Sequence, residues 1–282
     1  MSDNATIVPV GNRSEYDDIP GVNWSVLKHC IDHPSKAMYA MLNPKPPTPR
    51  MTLGSAIHTM SLEGYAQFKK SYAKQPEGID RRTKAGKEAY SEFVAMSKGK
   101  QVMSADDYET ALRVSDSIAD HPAVKDLLSP DTGQAEQVIK FELTEGLVGK
   151  GILDWLPTKE GHPIVDLKTT RDASPYGFAR QMANLRYHGQ ACYYRRALAA
   201  LNGEPPRDFV FIAVEVEPPY CIGVYKLNPD AIDAGERMVD MAIDRWLAST
   251  TGGDGDPHYT DYIEDLGIPT WAMAGENANV AT

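Results

Sequence analysis

Cysteine is scarce in this chain: its 282 residues hold three, Cys30, Cys192 and Cys221. They lie far apart, are odd in number, and include no Cys-x-x-Cys pair. That excludes a disulfide framework, a zinc ribbon and a four-cysteine iron–sulfur cluster, and it fits a reducing cytoplasm. Long apolar runs are missing as well. None approaches the roughly 20 residues needed to cross a bilayer, so no membrane association is expected. Met1 to Asp18 has no positive segment ahead of an apolar core, and a secretory signal is not expected. Internal repeats and low-complexity tracts are absent. Positive charge is in deficit, with 29 Lys and Arg against 39 Asp and Glu and a net charge of −10. The deficit argues against nucleic acid as a partner, although binding follows where charge lies rather than its sum. Acidic residues crowd the ends (Glu15, Asp17, Asp18; Asp254, Asp256, Asp261, Glu264, Asp265). Basic ones cluster inside, at Arg81, Arg82, Lys84 and Lys87 and again at Arg171, Arg180, Arg186, Arg195 and Arg196. A basic groove on an acidic body fits this distribution; for the first cluster, solvated helix faces fit equally.

What is present is an ordinary globular composition, 42% hydrophobic and 24% charged, in a chain long enough for one large domain. The expected division is a flexible segment over 1–22, a single domain over 23–250 and a tail over 251–282. Asn23-Trp24-Ser25 opens a short amphipathic helix, and Asn43 to Pro49 is a stiff proline-rich connector. Helices are expected over Thr52 to Phe68, within Gly78 to Lys100, and from Ser104 to about Asp120, so that 23–130 is mainly helical. From Gln134 the pattern changes to strands: Ala135 to Leu143, then a hairpin over Leu147 to Thr170. One long helix over Pro175 to Leu201, strands over Phe209 to Val216 and Tyr220 to Leu227, and a last helix over Pro229 to Leu247 complete 131–250. This order gives an α/β layer architecture.

The hairpin carries the chemistry. In GKGILDWLPTKEGHPIVDLKTT, two β-branched runs flank Lys159-Glu160-Gly161, a turn signal. With Glu160 at the centre, antiparallel pairing sets Asp154 opposite Asp166, and Lys168 projects from the same face two residues on. Like charges directly opposite are destabilising unless something positive sits between them, and a divalent cation fits. An ammonium beside such a pair can assist attack of a water on a phosphodiester. A solvated hairpin with charged decoration is the alternative. Ile152, Leu153, Trp155, Ile164, Val165 and Leu167 argue for a central hairpin, where unpaired charge is costly.

Further candidates lie around it. Tyr187, Gln190 and Tyr194 share one helix face, where amide and phenol can bond a carboxylate or a phosphate oxygen; plain packing of the tyrosines is the alternative. His58 follows Gly54, Ser55 and Ala56, small residues that let its helix approach the sheet, and is a candidate metal ligand beside Asp154 and Asp166, with the Leu167 carbonyl as a fourth contact. Glu63 falls off the face of His58. Glu136 is a possible additional acid that fits a solvent edge equally.

Gly54-x-x-x-His58, Gly151-Ile152-Leu153-Asp154, Asp166-Leu167-Lys168-Thr169-Thr170 and Gln190-x-x-x-Tyr194, in this order, resemble the PD-(D/E)XK nucleases. Within them the chain is most similar to the RecE-like (exodeoxyribonuclease VIII-type) branch of phage recombination systems, with lambda exonuclease a more distant relative. Each motif alone is weak; the four together in order, in a resemblance that spans about Asn23 to Leu247, carry it. The resemblance implies a restriction-endonuclease-like core, a mixed central sheet flanked by helices with an N-terminal helical elaboration. It implies that Asp154 and Asp166 bind Mg²⁺, or Mn²⁺ as a substitute, with His58 and the Leu167 carbonyl. Lys168 then acts on the attacking water, and Gln190 and Tyr194 complete the catalytic set. The implied activity is a 5′→3′ exonuclease on linear duplex DNA in recombination, in a bacterial or phage-infected cytoplasm. Implied partners are DNA, a single-strand annealing recombinase and further copies in a ring. Arg81, Arg82, Lys84, Lys87, Arg171 and Arg186 are the candidate DNA contacts. A non-catalytic DNA-binding scaffold and an endonuclease are the competing readings.

Overall fold

The computed structural model describes residues 4–80, 82–203, 207–252 and 257–269. Among these residues eight strands follow in chain order: β1 (Ala5–Ile7), β2 (Tyr72–Lys74), β3 (Gln101–Met103), β4 (Gly133–Thr144), β5 (Leu147–Pro157), β6 (Ile164–Thr170), β7 (Phe209–Glu215) and β8 (Ile222–Lys226). Six of them form the central sheet in the order β1-β4-β5-β6-β7-β8, while β2 and β3 pair separately. β6 and β7 run parallel and the other neighbours antiparallel. A sheet of this kind must cover both faces.

Two helices, α1 (Pro49–His58) and α2 (Ala105–Asp120), cover one face. Leu53, Ala56, Ile57, Val114 and Ile118 pack there on Trp155, Val165, Leu167, Ile212 and Val214. The other face lies under α4 (Tyr187–Asn202) and α5 (Pro229–Gly252), which follow α3 (Pro175–Leu185). Tyr193, Tyr194, Leu198 and Val239 meet Ile139, Phe141, Leu153 and Phe211 there. Thus β6 sends Val165 and Leu167 to one layer and Ile164 to the other, as a strand of period two requires. Gly149 and Gly151 let α4 sit close on β5. A Cβ at Gly149 would lie 2.7 Å from the Tyr193 hydroxyl, and one at Gly151 would overlap the Tyr194 ring.

Three segments differ from the sequence reading. The long helix expected over Pro175 to Leu201 is two helices, broken at Arg186, whose backbone is left-handed (φ 61°). Tertiary contacts hold the break: the Arg186 carbonyl accepts from Trp24 Nε1 at 3.2 Å, and its guanidinium grips Asp32 and the Lys28 carbonyl. The first residues, expected to be loose, add β1 to the sheet and a short helix over Arg13–Asp18. Lys150, 7% exposed, ties that helix down by donating from Nζ to the carbonyls of Tyr16, Asp17 and Ile19 at 3.1, 3.0 and 2.7 Å. Finally, Thr59–Glu63 forms a π-helical turn after α1, ended by Gly64 at φ 88°. Cys30 and Cys192 are buried and Cys221 is exposed, all as free thiols. Among the described residues no helix is long and apolar enough to cross a membrane.

Candidate functional site

β5 and β6 keep one ladder pair, Trp155 with Val165. Its register is the one that sets Asp154 across from Asp166. Beyond it the strands part, and the Asp154 carboxylate takes the place of a backbone acceptor: Leu167 N–H donates to Asp154 Oδ2 at 2.8 Å. On the other side of β5, Ala135 pairs with Trp155 and Gln137 with Leu153, so Glu136 faces Asp154. Glu136 holds a left-handed backbone (φ 51°), a costly conformation for a non-glycine residue and one that clusters at functional sites. Three acids from three adjacent strands, Glu136, Asp154 and Asp166, therefore stand in one row.

Helix α1 adds His58 from its last turn. His58 Nδ1 lies 3.4 Å from Asp154 Oδ2 and 4.0 Å from Glu136 Oε1. Ligand atoms of His58, Glu136 and Asp154 all fall within 4.8 Å of one another. They line a cleft of about 260 Å³ with Ser55, Thr59 and Glu63. Glu63 reaches the cleft because the π turn widens the helix and carries a residue five positions on back toward the face of His58.

The other half of the row is a salt pair. Lys168 Nζ lies 2.5 Å from Asp166 Oδ2. Asp166 is 2% exposed, and its Oδ2 makes no bond of hydrogen-bond geometry, so the contact is ionic. Gln190 Nε2 donates to Asp166 Oδ1 at 3.4 Å from α4, and the Lys168 ammonium sits 5.0 Å over the Tyr187 ring. Tyr194 packs its ring over Gly151 and is buried there.

Burial and mutual repulsion set the protonation of this group. Burial lifts the Glu136 carboxyl to about 8, helped by Asp154 and opposed by His58. Burial also lifts Asp166, to about 6 despite Lys168. For Asp154, burial is outweighed by His58, Lys168 and the Leu167 N–H, which hold it below its usual range. Burial alone would lower His58; the Asp154 carboxylate and then Glu136 carry it up to about 9. Lys168 is likewise lowered by burial and raised further by Asp166 and Asp154, so it stays an ammonium. Repelling carboxylates that must take up protons to coexist, beside a histidine within reach, form a donor set suited to a hard divalent cation. His58, Glu136 and Asp154 are the side chains whose donor atoms lie close enough together to hold it, with Asp166 next in the row.

The sequence placed Asp154, Asp166, Lys168, His58 and Gln190 together, and the structure brings them together. Leu167 joins through its N–H. The acid left open, Glu136, stands inside the cluster. The proposed basic contacts scatter. Arg82 pairs with Asp80 at 3.0 Å, Lys84 lies 4.0 Å from Glu88, and Lys87 is exposed on the same outer helix, Lys84–Met96. Arg186 is engaged with Asp32 at 2.5 Å. Arg171 is exposed beside the site; Arg81 lies outside the described residues. The sequence reading missed Arg50, which lines the same region as Arg171; a lone arginine after a proline-rich connector carries no signal of its own.

A family described as a PDDEXK-like domain of unknown function (DUF3799) matches residues 24–265. Among solved structures, the chain is similar to a Eubacterium rectale protein named "Putative exonuclease". The match has a TM-score of 0.59 and 13% identity, over 96% of this chain and 100% of the other. At that identity the likeness is one of fold. None of the curated proteins matches.

Proposed function

This chain belongs to that PDDEXK-like family, and we propose that it is a divalent-cation-dependent deoxyribonuclease, a 5′→3′ exonuclease on linear duplex DNA that acts in recombination. One observation carries the reading: the carboxylate row Glu136, Asp154 and Asp166 meets His58 on one side and a buried ammonium, Lys168, on the other. A structural role gives no reason to bury repelling acids beside an amine. When bound, a cation such as Mg²⁺ or Mn²⁺ supplies Lewis-acid polarisation of a phosphoryl oxygen.

The chain's own residues do the rest. Asp154 is fixed by the Leu167 N–H and by His58, and so orients the ligand set. Gln190 fixes the plane of Asp166. Lys168 keeps its proton and offers positive charge to an attacking water and to the charge that builds on the phosphate; it is not a free base. Tyr194 supports Gln190 from the same helix face. The named exonuclease of similar fold supports action at ends, and the RecE-like motif order supports the recombination role, an annealing recombinase as partner and a ring of copies.

End-labelled linear duplex with and without Mg²⁺ tests this. Loss of the 5′ label only with the metal, and intact closed circles, are expected. Cutting of closed circles would make the protein an endonuclease, and no cleavage with no metal binding would leave a scaffold.

A further inference from the structure

Toward the N-terminal end of α1 from the carboxylate cleft lies a second cleft, of about 380 Å³. Gly54 and Arg50 of α1 form one wall, and Thr169, Arg171, Gln181 and Tyr187 form the other. Gly54 lets the helix pass close to the end of β6, since a Cβ there would touch Thr169 Oγ1 at 3.4 Å. Lys168, which precedes Thr169, links the carboxylate row to this cleft: its ammonium pairs with Asp166 and sits 5.0 Å over the Tyr187 ring.

The charge of this cleft is one-sided. Among the described residues no acidic side chain lines it, and neither Arg50 nor Arg171 has a carboxylate partner. Gln181 accepts the Thr170 hydroxyl on its Oε1 at 2.8 Å and its side chain also bonds the Tyr187 hydroxyl, which leaves one amide N–H to donate. Two guanidiniums without a carboxylate partner, beside amide and phenol donors, are a preformed seat for a tetrahedral oxyanion.

We propose that the cleft between Arg50 and Arg171 binds the phosphate one linkage away from the one that is cut, making both arginines positioning residues that set the register of the strand across the carboxylate row. The proposal rests on the nuclease reading. It divides the site by charge: the acids, through their cation, take the scissile phosphate, and the guanidiniums take its neighbour. Lys168 stands at the boundary. A strand that slips by one linkage leaves both guanidiniums without a phosphate and the reacting phosphorus out of line.

Arg50→Gln and Arg171→Gln, made in the full chain and checked for unchanged melting, are compared on linear duplex DNA in Mg²⁺. Removing either charge-assisted bond is expected to raise KM roughly ten-fold while kcat stays within about two-fold. The salt slope of binding should fall by about one per arginine. A scan with single neutral methylphosphonate linkages gives the register: one linkage beside the scissile position should raise KM of the parent about ten-fold. That same linkage should have no further effect in the double variant. Penalties that multiply independently, or KM values at the parental level, overturn the proposal. Binding of the uncleaved duplex in EDTA, read by fluorescence anisotropy, separates the two ideas. Absence of cleavage by the parent refutes the nuclease reading, whereas unchanged affinity and salt slope in the double variant refute this one.

Discussion

Divalent-cation binding should be steeply pH-dependent. In the metal-free protein His58 is held up to about 9 and Glu136 to about 8. Near pH 7 both therefore carry a proton that a cation must displace. Both pKa values are raised, so the protonated, cation-excluding form dominates below them and binding strengthens as pH rises. Two protons leave per cation between pH ~6 and ~8, with Asp166 adding a third below ~6; one leaves between ~8 and ~9, and none above ~9. Each proton is worth about 1.4 kcal/mol per pH unit, so affinity should rise nearly 100-fold, about 2.7 kcal/mol, between pH ~6.5 and ~7.5. Calorimetric titration with Mg²⁺ or Mn²⁺, without DNA and in buffers of different ionisation heat, counts these protons directly. Glu136→Gln should cut the count from about two to about one and halve the slope. Affinity that is level from pH ~6.5 to ~8.5, with no proton release, would sink the reasoning.

Lys168→Met should lower kcat by roughly a hundred- to a thousand-fold with the melting temperature kept, because it removes positive charge from beside the reacting phosphate; paired kinetics and calorimetry check this. Gly151→Ala forces a methyl into the Tyr194 ring and should cost about 1–3 kcal/mol by overpacking, read as a lower denaturant midpoint. Lys150→Met strands the carbonyls of Tyr16, Asp17 and Ile19, and a destabilisation of roughly 2–4 kcal/mol is expected. Hydrogen exchange over 5–22 should speed up in that variant before the rest of the sheet is affected.

The hairpin was readable because its register is local. A short turn between β-branched runs sets Asp154 against Asp166 with no help from the rest of the chain, and the Trp155–Val165 pair bears that out. Glu136 was not readable in the same way. Its place depends on β4 pairing with β5 and on a left-handed residue in mid-strand, neither of which leaves a periodic trace. The break at Arg186 was hidden for a related reason: apolar spacing runs on from α3 into α4, and contacts with Trp24 and Asp32, over 150 positions away, decide the turn. Glu63 was misjudged by assuming an α-helical period across a π turn. Arg50 and Arg171 meet through the docking of α1 against the end of β6, which sequence spacing does not encode.

The thiols offer a practical opening. Cys30 and Cys192 are shielded, with burial pushing them to about 11 and about 12, so neither supplies thiolate at ordinary pH. Cys221 alone faces solvent, between β7 and β8. A maleimide dye will therefore mark the native chain at one place without any engineered cysteine. That gives a ready fluorescent reporter for watching single molecules engage and leave a DNA end.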